Sequence, residues 1–398
     1  MAGWAPASPP DRNGHHMKIT RIETFTVPPR WLFLRIETDD GVVGWGEPVL
    51  EGRAATVAAT VDELSDQLVG RDPLRIEDHW QVLTKAGFYR GGPVLSSAVA
   101  GIDQALWDIA GRARGASVHE LLGGPVRERV RIYAWVHGSG PEELADQAAE
   151  AMATGLTAVK FNGWDDPVAT IDTPARIDAV VARVAAVRAA IGQDADLAID
   201  FHGRFSPAMA RRVLPLLEEF HPLFVEEPVV PELSSELVSI AATTSVPIAT
   251  GERLYSRWDF RDVLASGIAV AQPDLSHAGG VSECRRIAAM AEIHGVSLAP
   301  HCPLGPIALA ACLQVDLATP NFLIQEQALG LHDGKAAGLL GDLVDPAGFS
   351  VRDGYVERPM APGLGLEIDE KAVRRVAQDG HRWRAPIWRH PDGSLAEW

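Results

Sequence analysis

The sequence predicts an α/β protein: a modified, TIM-like β/α barrel, capped by an N-terminal α+β domain that a C-terminal segment completes. Three observations predict it. The runs LAIDFHGR, LFVEEPVV and PIATGERL carry the carboxylates Asp200, Glu226 and Glu252 at intervals of 26 residues, the length of one strand, one helix and two loops. Eight strand-like runs follow residue 130, with helical periodicity between most of them. Ahead of them, strands give way to helices, the pattern of a separate α+β unit.

Taken in order, residues 1–16 are rich in Pro, Gly, Ala and Ser, show no periodicity, and lack the charged start and apolar stretch of a signal peptide. They are expected to form a disordered extension. Residues 17–129 are expected to form the cap. ITRIETFTV and WLFLRIET alternate as strands do, and Asp39-Asp40-Gly41 turns the chain into VVGWGEPV. Helices are expected over 56–68 and 96–114, the second with Val99, Ile102, Leu106 and Ile109 at helical spacing. Residues 130–330 are expected to form the barrel, with strands at 131–136, 158–161, 197–201, 223–226, 247–250, 270–273, 296–299 and 322–325. Intervening helices include 176–191, 206–220 and 280–294. Residues 331–398, rich in Gly and Pro, are expected to pack back on the cap.

A chain of 398 residues has room for a barrel of roughly 250 residues plus a second domain. Its net charge of −17 argues against nucleic acid and against anionic membranes as partners. Apolar runs are interrupted by charges such as Arg183 and Arg188 before they reach membrane-spanning length. The three cysteines are odd in number and lack C-x-x-C spacing, which suits a reducing cytoplasm and small core residues.

Barrel enzymes work at the C-terminal ends of their strands, so Asp200, Glu226 and Glu252 are expected to converge. One such acid is ordinarily a cap or a surface charge; three in register call for a hard divalent cation, Mg²⁺ foremost. His202 lies two residues beyond Asp200, on the same side of a strand. Asp274 and His301 end the sixth and seventh strands, and adjacent strands lie about 5 Å apart, within hydrogen-bonding reach. A carboxylate on one imidazole nitrogen makes the other a better base. His277 could be the active histidine in place of His301 but, lying beyond the strand end, is expected to be structural. Glu326 ends the eighth strand and is expected either to hydrogen-bond a substrate oxygen while protonated or to be a charged rim residue. Lys160 and Asn162 share a face of the second strand, and Lys160 is expected to meet a substrate carboxylate or to be a solvated rim lysine. The loops carrying Arg30, Glu51 and residues 88–92 offer charged and aromatic groups to an anionic polar ligand, or are surface anchors. A cation flanked by two histidines suits removal of a proton beside a carboxylate, followed by loss of a neighbouring hydroxyl.

At these residues the chain resembles the enolase superfamily, in its mandelate racemase subgroup. The resemblance spans residues 17–398 and is carried by PPRWLFLRIETDDGVVGWGEPVLEGRA, AGFYRGGP, AGIDQALWDI, DFHGR, QPDLSHAGG, APHCPLGPIALAACL and SLAEW. It implies a Mg²⁺-dependent, cytoplasmic, homo-oligomeric enzyme acting on a small sugar acid. Asp200, Glu226 and Glu252 would bind the metal. His301, supported by Asp274, would take the C2 proton, His202 would protonate the departing 3-hydroxyl, and Glu326 would stabilise the enolate. The loops at Arg30 and Glu51 would close over the substrate, with D-galactonate first in expectation and 2-dehydro-3-deoxy-D-galactonate as product. The alternatives are another acid-sugar stereoisomer, a racemase or epimerase, and a non-catalytic sugar-acid binder. Many members carry Lys-x-Lys on the second strand, and here the second Lys is Asn162, which cannot serve as a base. Residues 334–351 match the subgroup less well.

Overall fold

The computed structural model describes residues 16–164, 172–330 and 339–396. The stretch read as an N-terminal extension lies outside these residues apart from His16, as do residues 334–338 of the less well matched segment.

The cap opens with an antiparallel sheet of β1 (Ile19–Val27), β2 (Trp31–Thr38) and β3 (Val43–Gly46). Helices α1 (Ala54–Ser65), α2 (Ile76–Lys85) and α3 (Pro93–Arg114) follow. Helix α3 begins earlier than its apolar periodicity indicates, because Pro93 is preorganised for the first turn and needs no N–H partner there. After the short α4 (Val118–Leu121) and β4 (Arg129–Arg131), the chain enters the barrel.

The barrel alternates β5 (Ala134–Trp135), α5 (Pro141–Ala153), β6 (Ala158–Asn162), α6 (Pro174–Ile191), β7 (Asp196–Asp200), α7 (Pro207–Val213), β8 (Phe224–Glu226) and α8 (Leu237–Ala241). It continues through β9 (Ile248–Thr250), α9 (Arg257–Leu264), β10 (Val270–Ala271), α10 (Gly280–Ile293), β11 (Ser297–Leu298) and α11 (Pro306–Ala318). Strands β5 to β11 form one parallel sheet in sequence order.

Three expected elements differ. The eighth strand makes only isolated parallel bridges, Phe322 to Leu298 on one edge and Gln325 to Ile132 on the other. Pro300 has no N–H with which to extend the β11 ladder, so the sheet closes through this segment without a regular strand. The first expected strand divides: Arg129–Arg131 pairs antiparallel with Tyr355–Glu357, and Ala134–Trp135 pairs in parallel with β6 in the barrel. The helix expected over 206–220 changes to a 3-10 helix at Leu214–Phe220, because Pro215 lacks the N–H that the α pattern needs.

Tyr133, Ala158, Ala198, Phe224, Ala249, Val270, Ala299 and Ile324 form an apolar cluster of their own inside the barrel. Strand side chains alternate, so the residue two further on faces the same interior. Counting on by two from Ala158, Ala198, Phe224, Ala299 and Ile324 gives Lys160, Asp200, Glu226, His301 and Glu326. An apolar floor therefore carries a polar layer directly above it.

The cap is tied down at both ends. The buried Glu47, just past β3, accepts hydrogen bonds from Gly305 N (2.8 Å) and Ala308 N (3.0 Å) at the start of α11. Helix Glu370–Ala377 packs on β1, where Arg374 pairs with Glu23 at 2.7 Å and Arg35 with Glu370 at 3.1 Å. All three cysteines are buried and free. Among the described residues no helix is long and apolar enough to cross a membrane.

Candidate active site

The three spaced acids meet at the C-terminal ends of β7, β8 and β9. Asp200 and Glu226 are register partners on neighbouring strands. Glu252 follows β9 through Gly251, whose φ of 144° and crowding make it irreplaceable: a Cβ there would lie 2.7 Å from the Phe260 ring. One oxygen from each acid lies within 4.8 Å of the others.

Burial raises the carboxyl pKa of all three, with the charge of Asp200 adding to the rise at Glu226 and that of Glu227 adding at Glu252. Lys160 counters part of this. Its Nζ lies 2.6 Å from Glu226 Oε2, 3.1 Å from Glu326 Oε1 and 3.8 Å from Asp200 Oδ2. One ammonium thus serves three carboxylates. Glu226 Oε1 and Glu252 Oε2 are buried with no hydrogen-bond partner. Clustered oxygen donors, surplus negative charge and two unpartnered oxygens fit a hard divalent cation, so this group can hold a metal ion.

Lys160 corrects the expectation of a rim lysine or a donor to substrate. It is fully buried and committed to the carboxylates beneath the cavity. Its neighbour Asn162 does border the cavity, with its amide Oδ1 buried and unpartnered.

His301 Nδ1 lies 2.8 Å from Asp274 Oδ2, and the two residues form a parallel bridge across their strand ends. Asp274 is oriented in turn by the backbone N–H groups of Ser276 (2.6 Å) and His277 (3.0 Å). The other ring nitrogen of His301 lies 3.5 Å from Glu252 Oε2. Burial opposes charge on this ring, but Glu252, Glu326 and Asp274 outweigh it and hold His301 well above the usual imidazole range.

His202 reaches the cavity by another route than the alternation of a strand. Strand β7 ends at Asp200, and His202 sits in a left-handed turn at φ 48°. Its backbone N–H donates to Asp200 Oδ1 at 2.8 Å, and its Nε2 lies 3.2 Å from Asp200 Oδ2. The ring stacks on Trp135 with centroids 6.3 Å apart. Burial pushes its pKa down to about 3, so the ring is neutral near pH 7.

Glu326, read either as a protonated donor to substrate or as a charged rim residue, is buried rather than at the rim, and its surroundings favour the carboxylate. Burial alone would raise it, but Lys160 and His301 outweigh burial and bring it down to about 2. As a carboxylate it accepts from Trp135 Nε1 (2.5 Å) and Cys302 N (2.9 Å). Sequence reasoning could not see Lys160 beneath it.

Of these groups His202, Glu252, His301, Glu326 and Asn162 border a cavity of about 770 Å³, with Asp200, Glu226 and Lys160 buried behind them. The cap contributes Arg30, held by Pro303 O at 3.0 Å, and Glu51, 3.6 Å from the Arg30 guanidinium. Residues 88–92 do not border this cavity; Arg90, Gly91 and Gly92 line a different groove. His277, weighed as an active histidine and read as structural, lines the cavity where the turn after Asp274 folds it back, its Nε2 4.0 Å from Glu51 Oε2. Two groups went unrecognised in the sequence. Trp135 holds Glu326 and His202 together, and only its place at a strand end hinted at this. Trp383, from the C-terminal segment, had no signal at all.

Comparison with known proteins finds relatives that match nearly the whole chain. Residues 8–123 match the N-terminal domain of the mandelate racemase / muconate lactonizing enzyme family, and residues 143–372 match the enolase C-terminal domain-like family. A D-galactonate dehydratase from Ralstonia pickettii (strain 12J) is 54% identical over 383 residues, covering 96% of this chain and 100% of that protein. One from Pectobacterium atrosepticum is 52% identical with the same coverage. Among solved structures, a mandelate racemase/muconate lactonizing enzyme from Jannaschia sp. CCS1 superposes with a TM-score of 0.85 at 33% identity, covering 93% of this chain and 100% of that one. A member of the enolase superfamily from Salmonella Typhimurium gives 0.83 at 30% identity, covering 90% and 98%.

Proposed function

The chain belongs to the mandelate racemase/muconate lactonizing enzyme family of the enolase superfamily, and we propose that it dehydrates D-galactonate to 2-dehydro-3-deoxy-D-galactonate with Mg²⁺ as its metal. The observation that carries this reading is the Asp274-supported His301 bordering the same cavity as His202, above three convergent acids.

Asp200, Glu226 and Glu252 would hold the cation. Bound there, it supplies Lewis-acid charge that stabilises an enolate, and it offsets the carboxylate charge that otherwise keeps His301 protonated. Asp274 fixes the ring with Nδ1 engaged, which leaves Nε2 to take the C2 proton. As the C3–O bond breaks, His202 donates a proton to the leaving hydroxyl, giving water and an enol that tautomerises to the 2-keto acid. His202 is neutral on its own; negative charge brought close by a bound substrate would raise its pKa towards the form that can donate. Glu326, as a carboxylate, has no proton to give an enolate. It braces the base instead, 4.0 Å from His301 Nε2, while Trp135 and Cys302 brace it. Asn162 presents its unpartnered oxygen to a substrate hydroxyl, and Arg30 and Glu51 face the substrate from the cap.

A two-base racemase needs a base opposite His301. Asn162 cannot be one, and Lys160 is locked among carboxylates. A panel of diastereomeric acid sugars assayed with Mg²⁺ tests the substrate: D-galactonate is turned over best, and a clear preference for another stereoisomer would reject it. His202→Asn lowers dehydration by about 10²–10⁴-fold, the range for one acid–base group, while C2 proton exchange persists. Undiminished turnover in that variant would remove His202 from the mechanism.

A further inference from the structure

The turn that carries His202 is held by more than β7. His202 and Gly203 are consecutive left-handed residues, at φ 48° and 69°, and histidine keeps that conformation only where its surroundings fix it. Gly203 N donates to Glu227 O at 2.7 Å, and Arg204 N to Phe201 O at 2.9 Å. The Arg204 side chain then joins the turn to two distant segments. Its Nη1 donates to Trp164 O at 2.5 Å, in the loop after β6, and its guanidinium lies over the Trp388 ring, 5.1 Å from the centroid. Trp388 opens a C-terminal hairpin in which Trp388–Arg389 pairs antiparallel with Leu395–Ala396. Two residue pairs are too few to hold a hairpin in water, so contacts outside its own ladder keep it in place. Just ahead of it the chain is fastened to the cap, where His381 Nε2 donates to Pro29 O and the Arg30 guanidinium lies 5.8 Å from the centroid of the Trp383 ring.

We propose that Arg204 and Trp388 are positioning residues for the acid step: the C-terminal hairpin, through the Arg204 guanidinium, keeps the His202 ring where it protonates the departing hydroxyl. This role presupposes that His202 is that acid. Neither Arg204 nor Trp388 borders the catalytic cavity, so neither acts on the substrate directly. A guanidinium is planar and stacks on an indole face, where the ring quadrupole attracts its charge. That attraction acts two residues from a histidine that lies past the end of its strand. His301 has other supports, Asp274 and behind it Ser276 N and His277 N. Loosening the hairpin therefore disturbs the acid and spares the base, a difference that a hairpin serving only as surface cover would not produce.

Trp388→Leu in the full chain, assayed with D-galactonate and Mg²⁺ in deuterium oxide, tests the proposal. Dehydration falls about ten-fold, within the roughly 10²-fold that a misplacement of about 1 Å can cost, while C2 exchange continues. The ratio of exchange to dehydration therefore rises by the same factor. Arg204→Met removes the contact from the barrel side and gives the same change. Trp388→Phe keeps a ring face for the guanidinium and stays close to the wild type. In a His202→Asn background Trp388→Leu changes nothing further, because no acid remains to misplace. An unaltered ratio in Trp388→Leu and Arg204→Met overturns the inference, including one reached by equal loss of both reactions, as damage to the fold or to the metal site would give. A further loss of similar size on top of His202→Asn overturns it as well. Wild-type turnover in His202→Asn would instead remove the reading of His202 as the acid, and this role with it.

Discussion

His301→Asn abolishes exchange of the C2 proton of D-galactonate with solvent deuterium and lowers turnover by about 10²–10⁴-fold, the contribution of a single general base. Asparagine approximates the ring's bulk but has no nitrogen that accepts a proton near neutral pH. The loss should fall on chemistry rather than on folding, because Asp274 keeps its hydrogen bonds from Ser276 N and His277 N after the ring is gone. Deuterium exchange read by NMR separates proton abstraction from hydroxyl departure. The contrast with His202→Asn is therefore diagnostic: one variant loses exchange and dehydration together, the other loses dehydration with exchange retained. Exchange at the wild-type rate in His301→Asn would show that another group takes the proton.

Treatment with a chelator abolishes turnover and lowers the melting temperature, and Mg²⁺ restores both. Asp200, Glu226 and Glu326 share one buried ammonium, Lys160, and Glu252 has His301 beside it instead. Burial already pushes Asp200, Glu226 and Glu252 towards their protonated forms. A cation that binds only the folded site adds stability by mass action, about 2.7 kcal/mol when present at one hundred times its dissociation constant. Glu252→Gln leaves the fold and two ligands in place, so it should need far more Mg²⁺ for the same thermal shift. Full activity in metal-free protein, or a melting temperature indifferent to Mg²⁺, would reject the metal proposal.

Much of this site was legible before any coordinates. The equal spacing of Asp200, Glu226 and Glu252 follows from one strand–helix repeat per acid, and the structure brings them together. The pairing of Asp274 with His301 follows because consecutive barrel strands are neighbours. Other readings failed for identifiable reasons. The segment holding His202 leaves the strand one residue earlier than the alternation assumed, and a left-handed turn carries the ring into the cavity instead. The eighth strand has the right apolar pattern, but pattern alone does not supply the backbone partners of a ladder. The loop at 88–92 has the composition of a ligand-binding loop, yet it does not border the catalytic cavity, which leaves its other reading, a surface anchor.

What the sequence by itself determined is which side chains face the barrel interior and at which level, because side-chain direction along a strand is a local property. Only the tertiary structure decided what state those side chains occupy. Lys160 is a buried counter-ion because Glu226, 66 residues away, and Glu326, on the closing segment, surround it. Glu326 is a carboxylate, and His202 a neutral ring, for the same kind of reason. Protonation depends on burial and on charges a few ångströms away, and folding alone sets those distances.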